Sequence, residues 1–185
     1  MKLKYLILIF TLLVASCDRY RINYNLNKLT SRTIIIPDSL MTIYKYNDTN
    51  MWYNNYSRPQ YKFIHYMDST TCIPCEFGYF HKWNNILTID SLTSGKIKFY
   101  FIINPSHEYK HSVTRHYQIS EIKYPIFIDS CSYFEQENKH IPKSKIFHSF
   151  LLNEFNQVIY VGNPTVDSSL CALFYNIIKN QHKKD

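Results

Sequence analysis

The sequence predicts an α/β fold in which a mixed central sheet is flanked by helices. Over the middle of the chain, apolar strand patterns alternate with helical ones in the order βαβαβ. A hairpin pattern follows, and the chain closes with a helix that carries one apolar stripe. The 185 residues, 45% of them hydrophobic, suit one domain with a single core.

The first part of this pattern is a buried strand and the helix after it. In the Asn- and Tyr-rich residues 18–60, Ile34-Ile35-Ile36 is the clearest strand candidate. Tyr61 to Met67 has the bulky apolar residues of a buried strand, which ends at Asp68-Ser69-Thr70-Thr71. Beyond Pro74, apolar side chains recur at threes and fours and predict a helix with one buried face. They are Phe77, Phe80, Trp83 and Leu87.

The second part adds one αβ unit over residues 104–130. Ile97 to Ile103 is a buried strand that ends at Asn104-Pro105. His107 to Tyr117 can form a short helix, and Tyr124 to Ile128 is a third strand.

The last part combines a hairpin with a helix. Ser149 to Leu152 and Val158 to Val161 are separated by Asn153-Glu154-Phe155-Asn156, which has the turn residues of a hairpin. Residues 168–180 predict a helix whose apolar stripe would pack onto the sheet. Its members are Leu170, Leu173, Phe174, Ile177 and Ile178.

The N-terminus has the pattern of a secretory leader. Lys2 and Lys4 precede an apolar run from Leu6 to Val14, which small residues follow. Val14-Ala15-Ser16-Cys17 resembles the bacterial lipobox, in which the cysteine is lipidated and becomes the mature N-terminus. The alternative is an uncleaved membrane anchor with an incidental cysteine, although the run is shorter than the ~20 residues of a spanning helix.

These signals predict both the organisation and the location of the chain. We expect residues 1–16 to be a lipoprotein signal peptide, 17–60 a lipidated tether and lead-in, and 61–185 the folded domain. The lipid on Cys17 would hold the protein on a membrane of a bacterial cell envelope, facing the periplasm or the exterior. The formal net charge is +7, but the basic residues are scattered, so no nucleic-acid partner is expected.

Cys72-Ile73-Pro74-Cys75 is the motif with the most specific chemistry. A cysteine at a strand-to-helix junction lies beside free N–H groups that favour its thiolate. Cys72 is therefore the expected nucleophile, and Cys75, one turn further in and less accessible, the resolving thiol. A structural disulfide and half of a zinc site are the alternatives, although zinc would need two further ligands.

With its flanking elements, this motif resembles the thioredoxin superfamily, specifically TlpA-like, membrane-anchored thiol-disulfide oxidoreductases. The resemblance runs from about Tyr61 to Ile178 and implies a thioredoxin-like fold with an αβ insertion. It also implies catalysis by Cys72 and Cys75 on protein thiols and disulfides of the envelope, without a cofactor or a metal. Pro74 directly before the second cysteine is the arrangement of reductase-type relatives.

The chain departs from that family at several places, and the first is the position of a proline. A cis-proline normally precedes the strand that corresponds to Phe150-Leu151-Leu152, and here Phe147 or a neighbour in Phe147-His148-Ser149 occupies the place. A cis bond before a non-proline residue costs ~3 kcal/mol, so we expect the local geometry to differ. This departure supports the alternative of a non-catalytic binding module with a structural disulfide.

The second departure is Tyr66, which stands where thioredoxin keeps a buried carboxylate as proton acceptor. Glu76 or Asp68 could substitute, although an exposed position is expected for each.

Three further features of the sequence are a histidine pair and two single cysteines outside the motif. His107-Glu108-Tyr109-Lys110-His111 matches H-E-x-x-H, which on a helix could bind zinc, but exposed histidines on a short helix are favoured. Cys131 is expected to be a small buried hydrophobe, with an extra redox partner as the alternative, and Cys171 to be in the core.

Overall fold

A computed structural model describes residues 18–45, 59–93, 95–122 and 124–182. The predicted signal peptide and Cys17 lie outside the described residues, as do residues 46–58 of the predicted lead-in. In the described ranges, no helix is both long enough and apolar enough to cross a membrane.

Helices and strands alternate along the chain. The helices are α1 over residues 18–30, α2 (Ile73–Tyr79), α3 (Trp83–Leu92), α4 (Val113–Ile119), α5 (Tyr133–Glu137) and α6 (Ser168–His182). The strands are β1 (Met41–Ile43), β2 (Tyr61–Met67), β3 (Ile97–Ile103), β4 (Ile126–Ile128), β5 (Ser149–Leu152) and β6 (Val158–Val161). Short 3₁₀ turns cover Phe80–Lys82 and Lys145–Phe147.

The described strands form one mixed sheet of six, in the order β1-β4-β3-β2-β5-β6. Strands β2, β3 and β4 are parallel neighbours, whereas β1, β5 and β6 pair antiparallel with their neighbours. The strands at the centre are buried on both faces and are therefore almost continuously apolar. The predicted α/β fold with a mixed sheet flanked by helices is confirmed.

Apolar clusters cover the two faces of the sheet. Because side chains alternate along a strand, Phe63 of β2 belongs to one cluster and Ile64 to the other. The first cluster joins the sheet to α2, α3, α4 and α6, through residues such as Phe77 and Phe174. The second joins it to α1 and α5, through Leu29 and Phe134. Cys72 directly precedes α2, one of the helices that the first cluster joins to the sheet.

The first described residues pack against the domain. Helix α1 buries Leu29, and β1 pairs with β4 through the register Met41 to Ile128. Part of the predicted lead-in thus belongs to the same sheet as residues 61–185. The strand predicted at Ile34-Ile35-Ile36 is wrong: this segment has no ladder, and isolated hydrogen bonds hold it.

Most other elements occur where the sequence predicted them. The helix after Pro74 forms with a 3₁₀ turn in its middle, and it buries Phe77, Phe80 and Trp83. The helix predicted over His107 to Tyr117 is shorter, because residues 107–112 form turns and α4 begins only at Val113. Of the stripe predicted on α6, Leu173 is exposed instead of buried.

The side chain of Asn138 forms hydrogen bonds with the backbone of Ile35, which no strand pairs with. This side chain accepts a hydrogen bond from Ile35 N at 2.8 Å and donates to Ile35 O at 2.7 Å. Asn138 is only 1% exposed, and its amide also donates to Phe134 O.

We expect Asn138→Ala to lower the free energy of unfolding by about 2–3 kcal/mol, because buried backbone groups lose their partners. Exchange of the Ile35 amide hydrogen should accelerate with it. Lys139→Ala, an exposed neighbour, is the matched control and should change stability by less than about 0.5 kcal/mol. Unchanged exchange at Ile35 in the Asn138→Ala protein, measured by NMR, would contradict this role.

Candidate active site

Cys72 and Cys75 lie where β2 passes into α2. Cys72 caps the helix with extended backbone angles, φ −72° and ψ 96°, and its carbonyl accepts a hydrogen bond from Glu76 N. Pro74 lies in the first turn, where its missing N–H removes no intrahelical bond. The free N–H groups of this turn therefore surround the position of Cys72.

The loop between β2 and α2 is shaped by Asp68. One of its carboxylate oxygens, Oδ1, accepts hydrogen bonds from the backbone and hydroxyl of Thr70 and from the hydroxyl of Thr71. Burial alone would raise the pKa of the Asp68 carboxyl, but these hydrogen bonds hold it below its ordinary value. The loop thus carries an ionised carboxylate at neutral pH, four residues before Cys72.

Cys72 and Cys75 form a disulfide, with Cα atoms 5.3 Å apart. Both residues are exposed to solvent. The lesser accessibility of Cys75 relative to Cys72 stays a prediction. An exposed disulfide in a helical turn can be attacked by an outside thiolate without unfolding of the domain.

Phe147 and His148, the two residues directly before β5, are both buried. Phe147 belongs to the second apolar cluster, and the His148 ring lies 5.3 Å, centroid to centroid, from the ring of Tyr66 in the same cluster. The backbone carbonyl of His148 accepts a hydrogen bond from Tyr66 N at 2.8 Å, which extends the pairing of β5 with β2. All peptide bonds of the described residues are trans, including both bonds of His148.

The His148 side chain is buried and held from two sides. Its Nε2 donates a hydrogen bond to Pro142 O at 3.0 Å, and its Nδ1 lies 3.9 Å from an Asp68 carboxylate oxygen. Burial lowers the pKa of His148, partly offset by Asp68. The imidazole is therefore neutral at pH 7.

A second buried histidine, His65, connects β5 to α2. His65 Nδ1 and Ser149 Oγ are 2.8 Å apart, and His65 Nε2 lies 3.9 Å from Glu76 Oε2. The latter distance is too long for a direct hydrogen bond. The facing imidazole nevertheless holds the pKa of the Glu76 carboxyl below its ordinary value, against the effect of burial.

This arrangement corrects one expectation and adds residues that sequence reasoning missed. Glu76 and Asp68 are half-buried, not exposed, and their carboxylates face His65 and His148. His65 and Ser149 were missed because they are 84 positions apart in the sequence. The available signal was a histidine on the otherwise apolar face of β2.

A cleft of about 290 Å³ opens next to the disulfide. Its walls come from the end of β2, the start of α2, the turn before β5 and the loop between β6 and α6. Polar groups on it include His65, His148, Glu76 and Lys145, and its apolar part includes Ile146 and Leu170. The loop reaches this position through Gly162, whose φ of 141° is a region that L side chains rarely adopt.

No family model matches the chain, and no curated protein matches it. The structure is similar to a thioredoxin-like protein from Bacteroides caccae, with 12% identity and a TM-score of 0.46. That match covers 84% of this chain and 54% of the other, so this chain spans about half of that protein's length.

Two further solved structures are similar to this chain. StoA from Bacillus subtilis shares 18% identity over 56% of this chain and 73% of its own, with a TM-score of 0.38. The bacterioferritin comigratory protein of Xanthomonas campestris shares 15% identity over 64% of this chain and 81% of its own, with a TM-score of 0.41.

In the described ranges there are two further cysteines, and neither of them lines the cleft. Cys131 is an exposed free thiol, which contradicts the expectation that it is a small buried hydrophobe. Cys171 is half-buried on α6 and packs against the first apolar cluster, close to its predicted core position.

The H-E-x-x-H sequence lacks the helix that a zinc site of this type requires. His107 and His111 lie in consecutive turns before α4, so the spacing does not place both imidazoles on one helical face. Within the described ranges, no group of three or more His, Cys, Asp or Glu residues is arranged to hold a metal ion. In the described part of the chain, the structure therefore gives no support to zinc binding by His107 and His111.

Acidification should destabilise the domain through His148. Burial lowers the pKa of His148 in the folded state, so the folded protein favours the neutral imidazole more strongly than the unfolded chain does. The stability that this contributes is complete above the unfolded pKa of 6.5 and is lost as the pH falls through the lower folded value. The free energy of unfolding should therefore fall between about pH 7.5 and about pH 5.

The variant His148→Gln should show a smaller loss but not none, since burial, Arg32 and Lys28 also lower the pKa of His140. Urea unfolding at both pH values measures the difference. His111→Gln, in an exposed turn, is the matched control and should behave as the native chain does. An equal acid-dependent loss in His148→Gln and the native chain would contradict the assignment.

Proposed function

We propose that this chain catalyses thiol-disulfide exchange on other proteins through Cys72 and Cys75. The observation that carries the proposal is an exposed disulfide at the start of a helix, beside a cleft whose lining includes Thr71 and Glu76, the sequence neighbours of the two cysteines. A disulfide that served only to stabilise the fold would gain little here, because it closes a loop between residues three positions apart.

Each step of the exchange conserves its electrons. In the reduced protein, the Cys72 thiolate attacks one sulfur of a substrate disulfide, and the other substrate sulfur leaves as a thiolate. The Cys75 thiolate then attacks the sulfur of Cys72, and the substrate leaves as a dithiol. The product is the Cys72–Cys75 disulfide of the present structure, and a second protein dithiol must return two electrons to it.

The cleft supplies a place for the substrate segment next to its cysteine. Ile146 and Leu170 offer apolar contact, and Lys145 and Glu76 offer charges of both signs. Glu76 follows Cys75 directly and is held ionised beside His65.

The proposal extends to direction and location. Pro74 before the second cysteine favours the reductase direction. The leader pattern and Cys17 support a lipoprotein on the membrane of a bacterial envelope, so that its substrates are envelope proteins. The net direction in the cell depends on the partner that reduces Cys72–Cys75 again.

One observation favours a second candidate function, a binding module with a static disulfide. His148, with trans bonds on both sides, takes the place at which oxidoreductases of this family hold substrate backbone. In that case the cleft would bind a protein segment without any exchange of electrons.

Redox titration separates the two candidates. The chain is equilibrated in glutathione buffers of graded potential, and the fraction of reduced Cys72 and Cys75 is measured by alkylation and mass spectrometry. We expect the fraction of reduced Cys72 and Cys75 to change with the potential of the buffer. We also expect the Cys75→Ser variant to accumulate mixed disulfides with protein substrates that contain a disulfide. Cys72→Ser/Cys75→Ser is the matched control for trapping by Cys131. A pair that stays oxidised at every potential, with no trapped substrate, would support the static module.

A further inference from the structure

Helix α1 has an outward face that combines tyrosines with basic residues. Its inward side is marked by Leu29, which is fully buried. On the opposite side, Tyr20 is 75% and Tyr24 60% exposed. Residues three, four or seven apart share a helical face, so Arg21 and Lys28 border the two tyrosines, and both are exposed. We call Tyr20, Arg21, Tyr24 and Lys28 the outward face of α1.

A cleft with basic walls lies where the chain leaves α1. It has a volume of about 470 Å³, and we call it the basic cleft. Arg32 and Lys139 line it together with His140, and Glu137 contributes a carboxylate.

His140 contributes a buried imidazole to the basic cleft. Its residue is only 9% exposed, and its Nε2 has no hydrogen-bond partner within the described part of the chain. A buried polar atom of this kind gains free energy when a ligand supplies a hydrogen bond. Lys28 of the outward face of α1 is only four residues from Arg32, which lines the basic cleft, so the two surfaces are neighbours. Burial lowers the pKa of His140, and the charges of Arg32 and Lys28 add to this effect.

We propose that the outward face of α1 and the basic cleft together bind the surface of an anionic phospholipid bilayer. Tyrosine is favoured at the level of lipid headgroups, because its ring is apolar and its hydroxyl polar. Arg21, Lys28, Arg32 and Lys139 match the charge of lipid phosphates, and one phosphate can accept a hydrogen bond from His140.

Two observations favour a bilayer over a soluble anion. The exposed rings of Tyr20 and Tyr24 would gain nothing from a free phosphate, but they bury apolar area in an interface. The chain also reaches α1 directly after the apolar run and Cys17, where membrane attachment is predicted. The surface would orient the domain on the membrane, a role separate from the chemistry of Cys72 and Cys75.

Vesicle binding tests the proposal. The full chain carries Cys17→Ser, so that no lipid is attached and every variant keeps the same leader. Partitioning is measured on phosphatidylcholine vesicles with and without phosphatidylglycerol. We expect phosphatidylglycerol to strengthen binding and salt to weaken it. Two double variants, Arg21→Glu/Lys28→Glu and Arg32→Glu/Lys139→Glu, should each lower the phosphatidylglycerol-dependent binding by about tenfold or more.

Matched controls make the result specific. Lys110→Glu/Lys179→Glu makes the same charge change at exposed positions outside the proposed surface and should leave this binding within about twofold of the parent. Tyr20→Ser/Tyr24→Ser should weaken binding severalfold at constant charge. Equal losses in the control and the two test variants would overturn the proposal. It would also be overturned if inorganic phosphate bound at His140 in an NMR titration while vesicles showed no charge-dependent partitioning.

Discussion

Replacement of Cys72 by serine is expected to abolish disulfide reduction by this protein. The rate should fall by about a thousandfold or more, to the level of uncatalysed exchange, because a hydroxyl at neutral pH is no substitute for a thiolate nucleophile. The measurement is the turnover of a protein disulfide by the chain with a dithiol as electron donor.

The controls use the other cysteines of the chain. Cys131→Ser removes an exposed free thiol away from the motif and should leave the rate within about twofold of the native value. Cys75→Ser should block complete turnover but still react once through Cys72. If Cys72→Ser kept its activity and Cys131→Ser lost it, the nucleophile would be Cys131 and the proposed mechanism would be wrong.

The chemistry of this site is partly visible in sequence because part of it is local. Cys72, Pro74 and Cys75 lie within a single helical turn, so their order already fixes their relative positions. His65 reaches the site from the middle of β2, and Ser149 from the start of β5. Only the pairing of β2 with β5 brings these two together, and a spacing of 84 positions carries no trace of that pairing.

The same distinction explains which parts of the fold were predicted. Buried strands such as Tyr61–Met67 and Ile97–Ile103 are apolar along their length, because helices cover both faces. The segment at Ile34 has an equally strong pattern, but it forms no ladder: Ile34 N donates to Asn156 O, and the backbone of Ile35 pairs with the side chain of Asn138. Local pattern shows that a segment is buried, whereas the element that buries it is decided by distant residues.

The polar residues near the disulfide show how burial changes their chemistry. Histidines at two positions of the same region, His65 and His148, each face a carboxylate at 3.9 Å. Both carboxylates, on Glu76 and Asp68, have a pKa below the ordinary value, although the sequence alone suggested exposed side chains. The motif is therefore flanked by two fixed negative charges near neutral pH, a feature that only the folded chain defines.

Phe63 is a core residue whose loss should destabilise this domain strongly. It is fully buried on β2, between β3 and β5, and its ring lies 5.5 Å from Trp83 and 5.4 Å from Phe174. Both contacts are edge-to-face, and this geometry stabilises the fold in addition to the burial of the apolar ring. Because Trp83 belongs to α3 and Phe174 to α6, this one ring joins the sheet to two helices.

We expect Phe63→Ala to lower the free energy of unfolding by about 3–5 kcal/mol, since the site loses its buried area and a cavity remains. Domains of this kind have only about 5–15 kcal/mol in total, so Phe63→Leu is the companion variant, with an expected loss of about 1–2 kcal/mol. Phe155→Ala removes the same ring from the hairpin turn, where it is 68% exposed, and should cost less than about 0.5 kcal/mol. Guanidinium unfolding measures all three. Equal losses at Phe63 and Phe155 would show that the first apolar cluster is not packed around Phe63, because only a ring enclosed by strands and helices leaves a cavity when it is removed.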